Sequence, residues 1–305
     1  MTNKNFDTCT SFHLDNGAFL GKLIRLDDTI NTLLEKHKYP DQVAAVVAEF
    51  TSLAVLLSSS MKYDGLFTLQ TKTDGPISMV VVDVTSEGKV RAYAKYDMER
   101  IERAKELRKT TDEIEASPYL IGGGYLAFTI DQGDKEQLYQ GVVDIQGKTL
   151  SEIALRYFKQ SEQIDTHLKL FLKMPDETNP KWQSAGIMLQ KIPQKGGNVE
   201  EIENFEEIWS EAKIFLESLK DSEVFDTSLE PEILVNRLYH ANKLVITGAK
   251  NYIFACRCSR DKLLNTLSGF DPKDIEEMAE KGKITATCSF CSEKYVFDKG
   301  ELSKH

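Results

Sequence analysis

Four of the chain's five cysteines lie close together in sequence, as Cys256-Arg257-Cys258 and, 29 residues later, Cys288-Ser289-Phe290-Cys291. Thiolates are soft ligands, and four of them around one ion form the closed tetrahedral sphere of structural zinc. The CxxC of the second pair is the usual spacing of a metal knuckle. The CxC of the first is not, and it holds two sulfurs so near each other that they are ready to join once a metal leaves. CxxC is also a redox spacing, because neighbouring groups lower the thiol pKa and the second sulfur is within reach. The four residues therefore read both as a zinc site and as a pair of dithiols, and spacing alone leaves both open. Cys9 stands apart and reads as a bystander.

No other chemistry is announced. The five histidines are scattered, without the pairing of a metalloprotease helix, and there is no Gly-x-Ser-x-Gly elbow. Gly122-Gly123-Gly124 lacks the Gly-Lys-Ser/Thr ending of a phosphate loop and reads as a backbone bend before a strand. Carboxylates are plentiful, but none sits in a stretch that implies burial. No enzymatic activity is expected.

The net charge of −10 is concentrated. Residues 199–235 carry 12 acidic and 2 basic side chains, which is the whole imbalance, while 251–305 carries 9 of each. A nucleic-acid-binding zinc module needs a basic face, so nucleic acid is not an expected partner. No apolar signal segment follows Met1, and no run approaches the roughly 18 apolar residues of a membrane span. Unpaired cysteines in metal-ligand spacing fit a reducing compartment, so the expected location is cytoplasmic, with no membrane partner.

The elements that must position the cysteines divide the chain in three. Residues 1–196 form an expected α+β core domain of mixed sheet and helix. Ser11–Leu14 reads as an edge strand, 41–61 as a helix with apolar residues at helical spacing, and 65–70, 77–84, 90–94, 125–130 and 139–145 as strands. Thr149 with Glu152 three residues later is a capping box for a helix running toward Gln163. Leu168–Leu172 and Ala185–Leu189 complete the unit near Pro193. Gln194-Lys195-Gly196-Gly197-Asn198 is the clearest linker signal. Residues 197–250 then read as an acidic helical linker. Its Ile202, Phe205, Ile208, Trp209, Ala212, Phe215, Leu216 and Leu219 share one helical stripe opposite a Glu-rich face, and Pro231 opens a second helix with Leu234 and Leu238 inward. Like charges repel along such a helix, so its order depends on docking the stripe. Residues 251–305 form the expected small zinc domain.

Phe254-Ala255-Cys256-Arg257-Cys258-Ser259-Arg260, Cys288-Ser289-Phe290-Cys291 and Tyr295-Val296-Phe297 resemble the heat shock protein 33 family of redox-regulated chaperones. The resemblance continues through Arg237-Leu238-Tyr239-His240, Tyr139-Gln140-Gly141, Gln160-Ser161-Glu162-Gln163 and Ala185-Gly186-Ile187-Met188-Leu189-Gln190, in the family's order. It implies an ATP-independent holdase that keeps one zinc ion on Cys256, Cys258, Cys288 and Cys291 while reduced. It further implies that oxidation joins Cys256 to Cys258 and Cys288 to Cys291, releases zinc, unfolds the tail and linker, and yields dimers that bind unfolded client proteins. The linker residues Phe205, Trp209, Phe215 and Leu216 are the client-binding candidates. Ser292 departs from the family, which commonly has Gly after the last cysteine. The alternative is a constitutive zinc-stabilised interaction protein that uses the same site without a switch.

Overall fold

A computed structural model describes residues 5–108, 116–133, 138–147, 149–192 and 203–302. The expected linker at 194–198, Ile202 and Asp134 lie outside the described residues. The chain packs as two compact units, Met1–Phe254 and Ala255–His305.

The first unit is built on α2 (Asp41–Ser60), which follows β1 (Thr8–Leu14), β2 (Phe19–Leu26) and α1 (Asp28–Glu35). Fifteen of the 20 residues of α2 are buried, all round the helix rather than on one stripe, because a sheet lies on either side of it. Burying each Val, Leu or Phe there contributes about 1.5–3 kcal/mol. By length and composition α2 is also the one helix among the described residues apolar enough to cross a membrane, contrary to the sequence expectation; 83% of that window is buried inside the unit.

One sheet contains β3 (Leu66–Thr73), β4 (Ile77–Thr85), β5 (Lys89–Tyr96), β6 (Gly124–Asp131) and β7 (Tyr139–Asp144), with α3 (Met98–Arg108) and α4 (Ala116–Ile121) between β5 and β6. Its order is β11-β5-β4-β3-β6-β7, where β11 is Ile253–Phe254. After β7, Thr149 caps α5 (Leu150–Tyr157) by accepting from the Glu152 amide, as its capping pattern predicts. The helix then passes into a π-helical turn over Phe158–Glu162 rather than continuing, and Gln163 ends it with φ +54°. Glu162 accepts from the hydroxyls of both Tyr139 and Tyr157, which ties β7 to this turn.

The other sheet runs β10-β1-β2-β9-β8, with β8 at Thr166–Lys173, β9 at Gln183–Lys191 and β10 at Val245–Asn251. β1 is therefore internal, not the expected edge, because β10 pairs along its outer side. That strand falls where a helical linker was expected; Thr247-Gly248-Ala249-Lys250 has neither period, so only its pairing with β1 defines it. Residues alternate across this sheet. In β2, Ile24 and Leu26 join the core around α2, whereas Phe19 and Leu23 join a second core on the opposite face.

That opposite face is covered by α6 (Phe205–Ser218), α7 (Asp221–Val224) and α8 (Pro231–Tyr239). The second unit holds α9 (Arg260–Leu267), α10 (Pro272–Met278), the hairpin of β12 (Lys283–Thr287) and β13 (Lys294–Asp298), and α11 (Lys299–Leu302). Its apolar core is small: Leu267, Ile275, Ile284, Phe297 and Leu302 are its buried members among the described residues.

Candidate metal centre and the docked acidic layer

Two local structures present the four cysteines. Cys288 and Cys291 lie in the connection of the β12–β13 hairpin, where the Cys288 amide donates to Glu293 O and the Ser292 amide to Cys288 O, both at 2.9 Å. Ser292 closes this knuckle with φ +58°. The left-handed region suits glycine, which accounts for the glycine that the family resemblance leads one to expect here. Cys256 and Cys258 precede α9, whose cap Ser259 accepts from the Lys262 amide. Arg260 fixes α9 against the hairpin: its guanidinium donates to both Glu301 carboxylate oxygens at 3.0 and 2.9 Å and lies 4.6 Å from the Phe297 ring centre.

All four sulfurs lie within 4.8 Å of one another. Cys256 Sγ is 3.3 Å from Cys258 Sγ and 3.7 Å from Cys288 Sγ, and Cys258 Sγ is 3.5 Å from Cys291 Sγ. Zinc–sulfur bonds of about 2.3 Å at tetrahedral angles put sulfurs about 3.8 Å apart, so the donor set is compatible with a zinc ion. These distances do not select a disulfide pairing, because a sulfur of one pair is nearly as close to the other pair as to its own.

The charges point the same way. Burial works against ionisation of Cys256, but hydrogen bonds, led by those from Cys258, overcome it and bring the thiol down to about 7. Burial pushes Cys288 and Cys291 up, and for both the neighbouring thiols include ones that add to the rise. Like charges this close oppose one another, and a bound dication would offset that repulsion among thiolates. Tyr295 OH stands 3.3 Å from Cys258 Sγ, an outer-shell contact that the sequence reading did not foresee. Cys288 is buried, while Cys256, Cys258 and Cys291 are partly accessible.

The acidic segment is a docked layer of the first unit. Trp209, Ala212, Leu216 and Leu219 are buried, and Phe205, Ile208 and Phe215 pack partly buried beside them. Phe19 of β2 stacks on both Phe205 and Trp209, at 5.1 and 5.5 Å between ring centres, and Phe215 meets Tyr239 edge-on at 6.3 Å. Leu234 is buried and Leu238 partly so, as the helix starting at Pro231 predicts. The stripe is therefore folded against a sheet rather than presented to solvent.

Basic side chains of that sheet hold the layer. The fully buried Arg25 of β2 donates to the carbonyls of Leu229, at 2.6 Å, and Asp226. Lys169 donates to the carbonyls of Glu217 and Leu219 at 2.8 and 3.0 Å, His167 Nε2 lies 2.7 Å from the Glu217 carboxylate, and Lys191 pairs with Glu206. These contacts escaped the sequence reading. The only signal for Arg25 is a charge inside the apolar run Leu23-Ile24-Arg25-Leu26.

An α+β chain ending in a four-thiolate module is the class of protein that this fold and site define. The model of the family described as Hsp33 protein matches residues 7–298. Proteins named 33 kDa chaperonin are similar along nearly the whole length: one from Caulobacter vibrioides is 32% identical over 96% of this chain and 95% of its own. Another, from Ectopseudomonas mendocina, is 30% identical over 98% of this chain and 94% of its own. A crystal structure of a 33 kDa chaperonin (heat shock protein 33 homologue) from Thermotoga maritima superposes with a TM-score of 0.77, at 20% identity, over 98% of this chain and 97% of that one. The chain belongs to the Hsp33 family.

Proposed function

We propose that this protein is a redox-regulated, ATP-independent holdase of the bacterial cytoplasm, working in three parts: core 1–196, acidic linker 197–250 and zinc module 251–305. The observation that carries the reading is that three of the four clustered cysteines are accessible in a unit with so small an apolar core. Fully buried, inert thiols would instead favour the constitutive interaction protein.

Cys256, Cys258, Cys288 and Cys291 would hold the metal, and bound zinc supplies a cross-link between the two cysteine pairs together with charge compensation for four thiolates. A unit of this size has about 3–8 kcal/mol of stability, whereas structural zinc contributes roughly 10–16 kcal/mol in small peptides. Oxidation by peroxide proceeds one pair at a time. A thiolate attacks HOOH to give a sulfenic acid and hydroxide; its neighbour then displaces a second hydroxide to form the disulfide. Two peroxides accept the four electrons of four thiolates. Pairing Cys256–Cys258 and Cys288–Cys291, as the family resemblance implies, closes loops of three and four residues worth about 2 kcal/mol or less each. Neither bridge joins one pair to the other, so the long-range tie is lost and the unit unfolds.

The release would pass along the chain through β11 and β10 to the acidic layer, exposing its stripe and the sheet face beneath. Phe205, Trp209, Phe215 and Leu216, with Phe12, Phe19 and Leu23 opposite, would then bind apolar segments of unfolded clients, oxidised homodimers being the active form. Acidic side chains keep such complexes soluble. Nucleic acid and membranes are not partners in this reading.

The test treats the reduced, zinc-loaded protein with peroxide at mild heat and follows released zinc, remaining thiols and suppression of client aggregation together. One zinc and four thiols lost per chain, in step with the onset of suppression, is the expected result. Thiols that resist peroxide and keep their zinc support the constitutive alternative, and zinc release without any suppression overturns the holdase reading.

A further inference from the structure

A cavity of about 280 Å³ opens in the first unit between the strands β1, β2 and β10 and the C-terminal end of α2. Strand register explains its chemistry. Cys9 is paired with Lys250 of β10 and Ile24 of β2, and Ser11 with Lys22. Directly opposed residues share a face, so two lysines from different strands are brought to the α2 side. Across from Ser11 on β10 stands Gly248, where an added Cβ would meet nothing within 4 Å. The sheet thus leaves a gap where a third side chain would stand.

Neither ammonium is neutralised by a carboxylate among the described residues. Lys22 donates to Ser11 Oγ at 2.7 Å, and Lys250 donates to Ser86 O at 2.9 Å with its charge 5.3 Å from the Tyr252 ring centre. Each ammonium has three donors, so both retain unused capacity. Tyr252, 2% exposed, lines the same cavity, and its hydroxyl makes no hydrogen bond of good geometry, with Ser58 its polar neighbour there. An unpaired buried hydroxyl is costly, and native proteins rarely leave one.

Capping of α2 does not explain the lysines. Ser58, Ser59 and Ser60 donate to the carbonyls of Val55, Leu56 and Leu57, the Met61 amide donates to Ser58 O, and the bonds of Lys22 and Lys250 go to Ser11 and Ser86 rather than to the helix end. The negative end of the helix amounts to about half a charge, against two full positive ones. Burial also disfavours the Lys250 ammonium; Cys9 works against that effect and Lys22 adds to it, and a bound anion favours the charged form.

We propose that this cavity binds a small oxyanion of the phosphate type, held by Lys22 and Lys250 with the Tyr252 hydroxyl as a third donor. Its volume lies just under the range of sites for drug-sized ligands, which fits inorganic phosphate or a small phosphorylated metabolite rather than a nucleotide. The site stands independently of the redox reading. Because Lys250 and Tyr252 lie on the segment leading to Cys256, occupancy also tethers that segment. At ten times the dissociation constant, a state that has lost the site becomes about 11-fold rarer.

The experiment titrates the full-length reduced protein with inorganic phosphate, with glycerol 3-phosphate and with chloride at matched ionic strength, using calorimetry and thermal shift. Saturable 1:1 binding of phosphate, absent with chloride, is expected. Glycerol 3-phosphate binding tenfold tighter identifies a phosphorylated metabolite as the natural ligand; equal or weaker binding identifies the free ion. Lys22→Met and Lys250→Met each lower affinity about tenfold or more, the loss of a charge-assisted hydrogen bond. Lys273→Met, in the second unit, leaves it unchanged. Tyr252→Phe guards against misfolded lysine variants, because it removes an unpaired hydroxyl and keeps the ring: it melts at or above wild type, yet gains less from phosphate. No saturable phosphate binding, or equal affinity in all three cavity variants, overturns the site.

Discussion

Replacing Phe19 by alanine separates the acidic layer from the sheet while leaving in place Phe205, Trp209, Phe215 and Leu216, the residues of the layer proposed to meet a client. Phe19 is fully buried and stacks on both Phe205 and Trp209, so its truncation removes the centre of the contact. A buried Phe→Ala change costs about 3–5 kcal/mol, including two aromatic pairs of about 0.5–1.5 kcal/mol each. β2 remains held by β1 and β9 and by the core around α2, so most of that cost falls on docking of α6 to α8. At 1.4 kcal/mol per factor of ten, the open population of the layer rises about 10²- to 10⁴-fold. Hydrogen exchange of the reduced, zinc-loaded variant should therefore accelerate by that factor across residues 205–239, while α2 stays protected. The same variant should suppress client aggregation without oxidant. Unchanged exchange would refute the docking energetics; fast exchange without suppression would refute the idea that this layer hides the client surface.

Tyr295→Phe removes the hydroxyl beside Cys258 Sγ, and outer-shell losses of this kind weaken metal sites about tenfold or more; peroxide-driven zinc release, followed with a chromogenic chelator, should quicken to match. Ser292→Gly relaxes the left-handed residue of the knuckle and should stabilise the second unit by about 0.5–1 kcal/mol, seen as a higher temperature of zinc release; a lower one contradicts the strain argument. Arg25→Met leaves the Leu229 carbonyl without its side-chain donor and the Asp226 carbonyl with only the Leu229 amide, and exchange at residues 226–235 should rise at least about tenfold while the zinc content is unchanged.

What could be read from the sequence was what local rules govern. The four cysteines meet because each pair is held by a local turn, and hairpin and helix start bring the turns together. The Thr149 cap and the stripe of α6 follow from spacings of three and four residues. The illegible parts are those fixed by distant partners. β10 owes its identity to β1, more than 230 residues earlier in the chain, and nothing within Val245–Asn251 announces it. Arg25 sits in an apolar strand because carbonyls some 200 residues away receive it. The two lysines beside Cys9 converge only through strand register, and no spacing rule links positions 22 and 250.

The five-stranded sheet keeps two apolar clusters apart, with α2 on one side and the acidic helices on the other. A wall of this kind works as a firebreak. Melting that begins in the outer helices meets a hydrogen-bonded barrier whose far side is already sealed by its own packing. Were that layer shed, the damage would be confined to it, and the molecule would keep a packed half from which to rebuild the rest.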